Sequence, residues 1–122
     1  MAVYNQDTVL LASASRTTTQ TSVDLVNPDG RALDVVLDMT TVGTGSVTVT
    51  INYKDSASGK YILLLAGAAV TTNSTNRYRV HPNLTAAANS IAQDQLPEIF
   101  QIVVTANNAN AAVYSVGYRI GV

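Results

Sequence analysis

The sequence predicts an all-β protein: an antiparallel β-sandwich, jelly-roll-like, with seven or eight short strands and at most one short helix. Two observations lead to this prediction. In the clearest segments apolar and polar residues alternate with a period of two, as they do in strands with one buried and one wet face. Turn-forming residues recur at intervals of about ten residues, a spacing typical of sandwiches and jelly rolls rather than of α/β folds.

The clearest strand signal is at residues 46–54, and residues 31–41 show the same alternation. A short connection containing Gly43 and Gly45 separates them, so we expect the two strands to pair as a hairpin. A second turn at residues 55–59 leads into a strand at residues 60–66. These three strands are therefore predicted to form a meander.

Five further strands are predicted, at residues 8–12, 16–26, 76–81, 99–106 and 112–120. Residues 27–30 and 107–110 have strong turn chemistry. Residues 84–95 fit either a short helix or a long loop that crosses one end of the sandwich. The side chains predicted to be buried between the two sheets are Leu33, Val35, Leu37, Val47, Val49, Ile51, Val104, Tyr114 and Val116.

The chain has 122 residues, the size of one domain, and we assign residues 1–122 to it. It contains no cysteine, which excludes disulfides, thiolate metal sites and cysteine nucleophiles. The net charge is -1, so no nucleic-acid partner is expected. Only 12% of the residues are charged, about half the usual share of about 25%. This deficit predicts that neighbouring subunits or another protein cover much of the surface.

No catalytic, cofactor-binding or metal-binding residues are predicted, and we do not expect an enzyme. His81 is the only histidine, and no other residue marks a partner for it. Asp34 and Asp38 share a strand face, but about 13 Å separates residues four apart along a strand, too far to chelate one ion. Asp94 and Glu98 flank a Leu-Pro pair, and nothing around them resembles the carboxylate pair of a glycosidase.

The remaining motifs favour turns and surface contacts. Residues 43–46 lack the lysine and the following helix of a phosphate-binding loop, and residues 55–59 lack the later acidic ligands of a calcium loop. Arg77 and Arg79 point outward from one strand, as partner-facing or solvated residues do. The longest apolar run, residues 61–70, is too short to span a bilayer. The N-terminus shows no secretory signal pattern, so we expect synthesis in a cytosol.

Seven segments made of turns and strand cores carry a family resemblance that extends over most of the chain. They lie at residues 13–17, 30–31, 54–61, 63–69, 96–97, 103–105 and 114–117. These segments resemble small virion proteins of tailed bacteriophages. The resemblance implies a structural component of the virion, made in the cytoplasm of a host bacterium.

Within that family the resemblance implies a head decoration or minor capsid protein. Such a protein binds the assembled head and stabilises it by bridging adjacent subunits of the major capsid protein. We expect a homo-oligomer, with a trimer favoured, and neither a nucleic-acid nor a membrane partner. Two alternatives remain: a virion protein associated with the tail, neck or fibre, and a carbohydrate-binding module that uses exposed tyrosines as a sugar platform.

Overall fold

Ten strands make up the computed structural model, which describes residues 6–121. Residues 1–5 and Val122 of the predicted domain lie outside the described residues. No described residue is helical. The strands are β1 (Thr8–Arg16), β2 (Gln20–Thr21), β3 (Leu25–Val26), β4 (Ala32–Thr41), β5 (Val47–Lys54), β6 (Tyr61–Ala66), β7 (Ser74–Val80), β8 (Ile91–Ala92), β9 (Ile99–Ala106) and β10 (Ala112–Gly121).

The strands form two sheets. Sheet A has the order β1-β10-β4-β7-β8, and sheet B has the order β2-β9-β5-β6, with β3 also pairing with β9. Every neighbouring pair is antiparallel except β7 and β8, which run parallel. The predicted all-β sandwich is therefore confirmed.

The core lies between the inner faces of the two sheets. All nine side chains predicted to be buried are at most 3% exposed. The period-2 pattern therefore identified the inner faces correctly, because alternate residues of a strand point to opposite faces of its sheet. Further buried members of the same core are Met39, Tyr78, Val80, Phe100 and Ile102.

The predicted hairpin between β4 and β5 is wrong, and so is the three-strand meander. β4 pairs with β10 and β7 in sheet A, whereas β5 pairs with β9 and β6 in sheet B. Only β5 and β6 form the expected hairpin. The apolar faces of β4 and β5 pack against each other across the core, and this packing buries both faces. A period-2 pattern is the same for two strands in one sheet and for two strands in facing sheets.

A second crossing, at residues 107–111, joins β9 of sheet B to β10 of sheet A, and it lies against the first. A Cβ added to Gly45 would come within 3.1 Å of the Cβ of Ala112. The side-chain amide of Asn108 donates to the carbonyl oxygen of Thr44 at 3.0 Å, and that of Asn107 donates to the Ser46 hydroxyl at 2.9 Å. Glycine and asparagine at these positions therefore hold two sheet crossings together.

Two other segments differ from the sequence prediction. The predicted strand at residues 16–26 is divided into β2 and β3, while β1 extends to Arg16. Residues 84–95 form turns and the short strand β8, so the loop alternative is the correct one. The backbone N–H of His81 donates to the carbonyl oxygen of Ala92 at 3.0 Å. Pairing with β7 thus outweighs the helix propensity of the alanines before β8.

Candidate functional site

Four charged side chains lie together on the outer face of sheet A: Asp34 of β4, Arg77 and Arg79 of β7, and Arg119 of β10. We call this group the arginine face. The residues that flank Asp34 and Arg79 in their strands are buried, so the strand alternation directs these charged side chains outward. The register places Asp34 directly between Arg79 and Arg119 on the two neighbouring strands.

One carboxylate serves two guanidinium groups in this cluster. The Nε of Arg77 donates to both oxygens of Asp34 at 3.0 Å, and Nη2 of Arg119 donates to Oδ2 of Asp34 at 3.0 Å. Burial raises the pKa of Asp34, but the hydrogen bonds from Arg77 and Arg119 outweigh burial and hold that pKa below its ordinary value. Asp34 is therefore ionised at neutral pH and fixes the orientation of both arginines.

Two shallow depressions flank this cluster. The larger, of about 490 Å³, is bordered by Asp7, Val36 and Tyr118 as well as by Asp34, Arg77 and Arg119. The smaller, of about 320 Å³, is bordered by Arg79 and His81 on the other side of the same arginines. The arginine face therefore presents charged donors at the rims of two open cavities.

Replacing Asp34 by asparagine is expected to cost about 1–2 kcal/mol of unfolding free energy at pH 7, because it removes charge-assisted hydrogen bonds at a partly exposed site. Because the pKa of Asp34 is lowered by folding, its contribution is present above the unfolded pKa of about 3.9. It is lost as the pH falls through the folded value. The difference between Asp34→Asn and the wild type is therefore expected to shrink in acid.

Urea denaturation at pH 7 and at pH 2.5 measures this difference. Asp38→Asn is the matched control, because Asp38 lies on the same strand face and accepts a hydrogen bond from the Thr75 hydroxyl but none from an arginine. An Asp34→Asn cost that is the same at both pH values would contradict the role assigned to the carboxylate.

The second exposed feature is β6, which forms one edge of sheet B. Its side chains Tyr61, Ile62 and Leu63 are 44%, 41% and 58% exposed, and we call these three residues the β6 edge. No charged residue occurs from position 61 to position 76. Edge strands leave alternate backbone N–H and C=O groups without a strand partner, and charged side chains normally protect them. The β6 edge has no charged side chain of its own to supply that protection.

The tyrosine of the β6 edge is held in place by charged neighbours. The hydroxyl of Tyr61 donates to Asp24, and Nζ of Lys54 lies 3.0 Å from Asp24 and 5.8 Å from the centre of the Tyr61 ring. The hydrogen bond to Asp24 raises the pKa of Tyr61. Two residues before Lys54 in β5, the side-chain amide of Asn52 donates to Gln101 at 3.1 Å. The result is an aromatic ring in a fixed position next to polar groups.

The other residues considered from the sequence have local roles. The Nδ1 atom of His81 accepts a backbone N–H two residues later, and Asp94 accepts the N–H of the next residue. Asp55 accepts the backbone N–H and the hydroxyl of Ser58, which makes residues 55–59 an aspartate-initiated turn as predicted. Within residues 6–121 no three His, Asp or Glu side chains are placed to hold a metal ion. The same part of the chain has no helix able to cross a membrane.

Sequence reasoning placed Arg77 and Arg79 outward but missed Arg119 and the pairing of all three strands around Asp34. A signal was available for Arg119, because it alternates with the apolar residues Tyr118 and Ile120 on the other face of β10. The strand order that brings β10 and β7 to either side of β4 was not visible in the pattern. The exposure of the β6 edge was also missed. An apolar strand is normally buried, and the sequence pattern did not show that β6 lies at the border of its sheet.

No family model and no curated protein sequence matches the chain. Among solved structures, its fold is similar to that of the SPBc2 prophage-derived protein YomS. That match has a TM-score of 0.55 and 11% identity, and it covers 99% of this chain and 97% of that one. A xylan-binding domain from CBM 22 matches with a TM-score of 0.47 and 17% identity, over 98% of this chain and 86% of that one. A chain of infectious bursal disease virus, Gt strain, matches with a TM-score of 0.44 and 15% identity, over 95% of this chain and 33% of that one.

Proposed function

We propose that the protein is a structural protein of a bacteriophage virion, and more specifically a capsid decoration protein that binds the assembled head. The observation that carries this proposal is the β6 edge, an uncharged apolar strand at the border of sheet B with three exposed large side chains. The fold shared with a prophage-derived protein supports it. So does the resemblance of seven segments to small virion proteins.

The β6 edge suits a protein that works by contact. An open strand accepts a strand from a neighbour, with backbone hydrogen bonds supplying affinity and side chains such as Leu63 supplying specificity. A protein that binds the closed shell and not the loose subunit shifts assembly toward the shell by mass action. Many copies on one head would then stabilise it without any catalytic step.

We further propose that the protein forms a homotrimer at positions where three capsid subunits meet. Cyclic symmetry closes the interfaces and prevents open fibres, and each stable interface is expected to bury at least about 1,000 Å² in total. If the trimer contacts use the uncharged β6 edge, raising the salt concentration to physiological levels will weaken them little. Light scattering of the purified protein at both salt concentrations measures this, and a monomer at both would contradict it.

Co-sedimentation with DNA-free heads of the phage tests the decoration role. Leu63→Lys places a charge in the β6 edge, and we expect it to weaken head binding by about tenfold or more. Val9→Lys is the matched control, because Val9 is an exposed valine on β1, the edge strand on the opposite side of the sandwich in sheet A. It is expected to bind like the wild type.

The outcomes separate the alternatives. An equal loss of head binding in Leu63→Lys and Val9→Lys, or no loss in either, would show that the β6 edge does not bind the head. Labelled protein found on tails or necks and not on heads would assign it to the tail, neck or fibre-associated class.

A second candidate function, carbohydrate binding, is favoured by one observation. The exposed Tyr61 ring is held by Asp24, and the Asn52–Gln101 amide pair begins two residues along β5 from Lys54, the cross-strand partner of Tyr61. Sugars stack on aromatic rings and bond to neighbouring amides. Titration with soluble xylan and cellulose fragments, in the wild type and in Tyr61→Ala, tests this candidate. Saturable binding that is lost in Tyr61→Ala would support it, and the absence of binding by the wild type would remove it.

A further inference from the structure

Basic side chains are concentrated on the arginine face. The chain has seven Lys and Arg residues in total, and three of them, Arg77, Arg79 and Arg119, surround the single carboxylate of Asp34. With Asp7 at the rim included, three positive and two negative charges leave a local charge of +1 among the described residues. The carboxylate of Asp7, 86% exposed, lies 3.8 Å from Arg119 at the rim. The protein as a whole is slightly acidic, so this positive surface is a local feature.

Asp34 occupies only part of the donor capacity of these arginines. It takes Nε and Nη2 of Arg77 and Nη2 of Arg119. Within residues 6–121, Nη1 of Arg77 and the whole guanidinium group of Arg79 donate no hydrogen bond to the protein. Arg79 is nevertheless the direct cross-strand neighbour of Asp34. Oriented guanidinium donors without a protein acceptor are what an incoming anion needs.

These donors border the depression of about 320 Å³ on the outer face of sheet A. Leu84 contributes apolar surface to it, and His81 lines the side next to Arg79. Because Nδ1 of His81 accepts a hydrogen bond from the backbone, Nε2 carries the proton of the neutral ring and is a further donor. The depression therefore combines several N–H donors with apolar surface that suits a short methylene stem.

We propose that this depression binds the carboxylate of a glutamate or aspartate side chain on a partner protein. The planar fork of a guanidinium group matches a carboxylate through two parallel hydrogen bonds. Among the described residues, no tyrosine or phenylalanine lines the depression, and its one ring is the small imidazole of His81. This disfavours an acidic sugar, because sugar rings stack on larger aromatic surfaces. The assignment of a protein as the source of the carboxylate rests on the proposed virion function, whereas the anion site itself does not.

Calorimetric titration of the purified protein with a hexaglutamate peptide at low salt tests the proposal, with a hexaglutamine peptide as the uncharged probe. Arg79→Gln is the informative variant, because within residues 6–121 Arg79 makes no ion pair whose loss would disturb the fold. We expect it to weaken hexaglutamate binding by about tenfold. Arg31→Gln, an exposed arginine outside this depression, is the matched control and is expected to bind like the wild type. Thermal unfolding of each variant confirms that it is folded.

The proposal also predicts that hexaglutamate binding weakens as salt rises, since the contact is between partly exposed charges. Equal binding of the two peptides, or equal hexaglutamate affinity in Arg79→Gln and the wild type, would overturn the site. Tighter binding of oligogalacturonate or inorganic phosphate than of the peptide would overturn the protein source. A variant that loses the peptide but still sediments with heads leaves the decoration role standing, so the two proposals fail separately.

Discussion

Replacement of Leu37 by alanine is expected to lower the free energy of unfolding by about 2–5 kcal/mol, among the largest effects of any single substitution in this chain. Leu37 is fully buried in the middle of β4. Its neighbours across the sheet are Val116 of β10 and Asn76 of β7. Truncation removes buried methyl groups and leaves a cavity that strands paired on both sides cannot close.

Val36→Ala is the matched control for this prediction. Val36 precedes Leu37 in the same strand but lies on the outer face, 37% exposed, and its truncation is expected to cost less than about 1 kcal/mol. Urea denaturation of both variants gives the two values. Equal costs would mean that the inner face of β4 does not carry the core, which would contradict the sandwich described above.

The inner faces of the sandwich were predictable because burial leaves a direct trace in the sequence. Val47, Val49 and Ile51 alternate with polar residues, and this pattern alone specifies which side chains point inward. Sheet assignment leaves no such trace. The turn at Gly43 and Gly45 has the composition of a hairpin, yet it leads from one sheet to the other because both flanking strands need an apolar surface to face.

The candidate surfaces were only partly predictable for a related reason. Arg77 and Arg79 were expected to point outward. The cluster that they form also needs Asp34 and Arg119, which lie 43 and 42 positions from Arg77 in the sequence. Register across three strands brings them together, and no local pattern encodes register between distant strands. The exposure of the β6 edge likewise follows from the sheet order, which places an apolar strand at a border.

The two candidate surfaces differ in chemistry, and this makes their roles separable. The β6 edge is apolar and uncharged, so contacts made through it are expected to be insensitive to salt. The arginine face carries a local positive charge, so contacts made through it are expected to weaken as salt rises. A complex that uses both surfaces would therefore lose only the affinity contributed by the arginine face at high salt.

A different part of the fold depends on a buried amide. Asn27 is 6% exposed and follows β3 at the turn that leads to β4. Its Nδ2 donates to the carbonyl oxygens of Gly30 at 2.8 Å and of Leu96 at 3.0 Å, while its Oδ1 accepts the backbone N–H of Gly30 at 2.6 Å. One side chain therefore closes its own turn and ties it to the loop before β9.

Asn27→Ala is expected to lower the free energy of unfolding by about 2–4 kcal/mol, because it leaves the N–H of Gly30 and the carbonyl oxygen of Leu96 buried without these partners. Asn83→Ala, at an exposed asparagine, is the control and is expected to change stability by less than about 0.5 kcal/mol.

Asn27→Asp keeps the acceptor for Gly30 but sets a carboxylate against two carbonyl oxygens. Its cost is therefore expected to be larger at pH 7 than at pH 4, where protonation restores a donor. Urea denaturation of the three variants measures these costs, and an Asn27→Ala protein as stable as Asn83→Ala would show that the amide does not hold the turn.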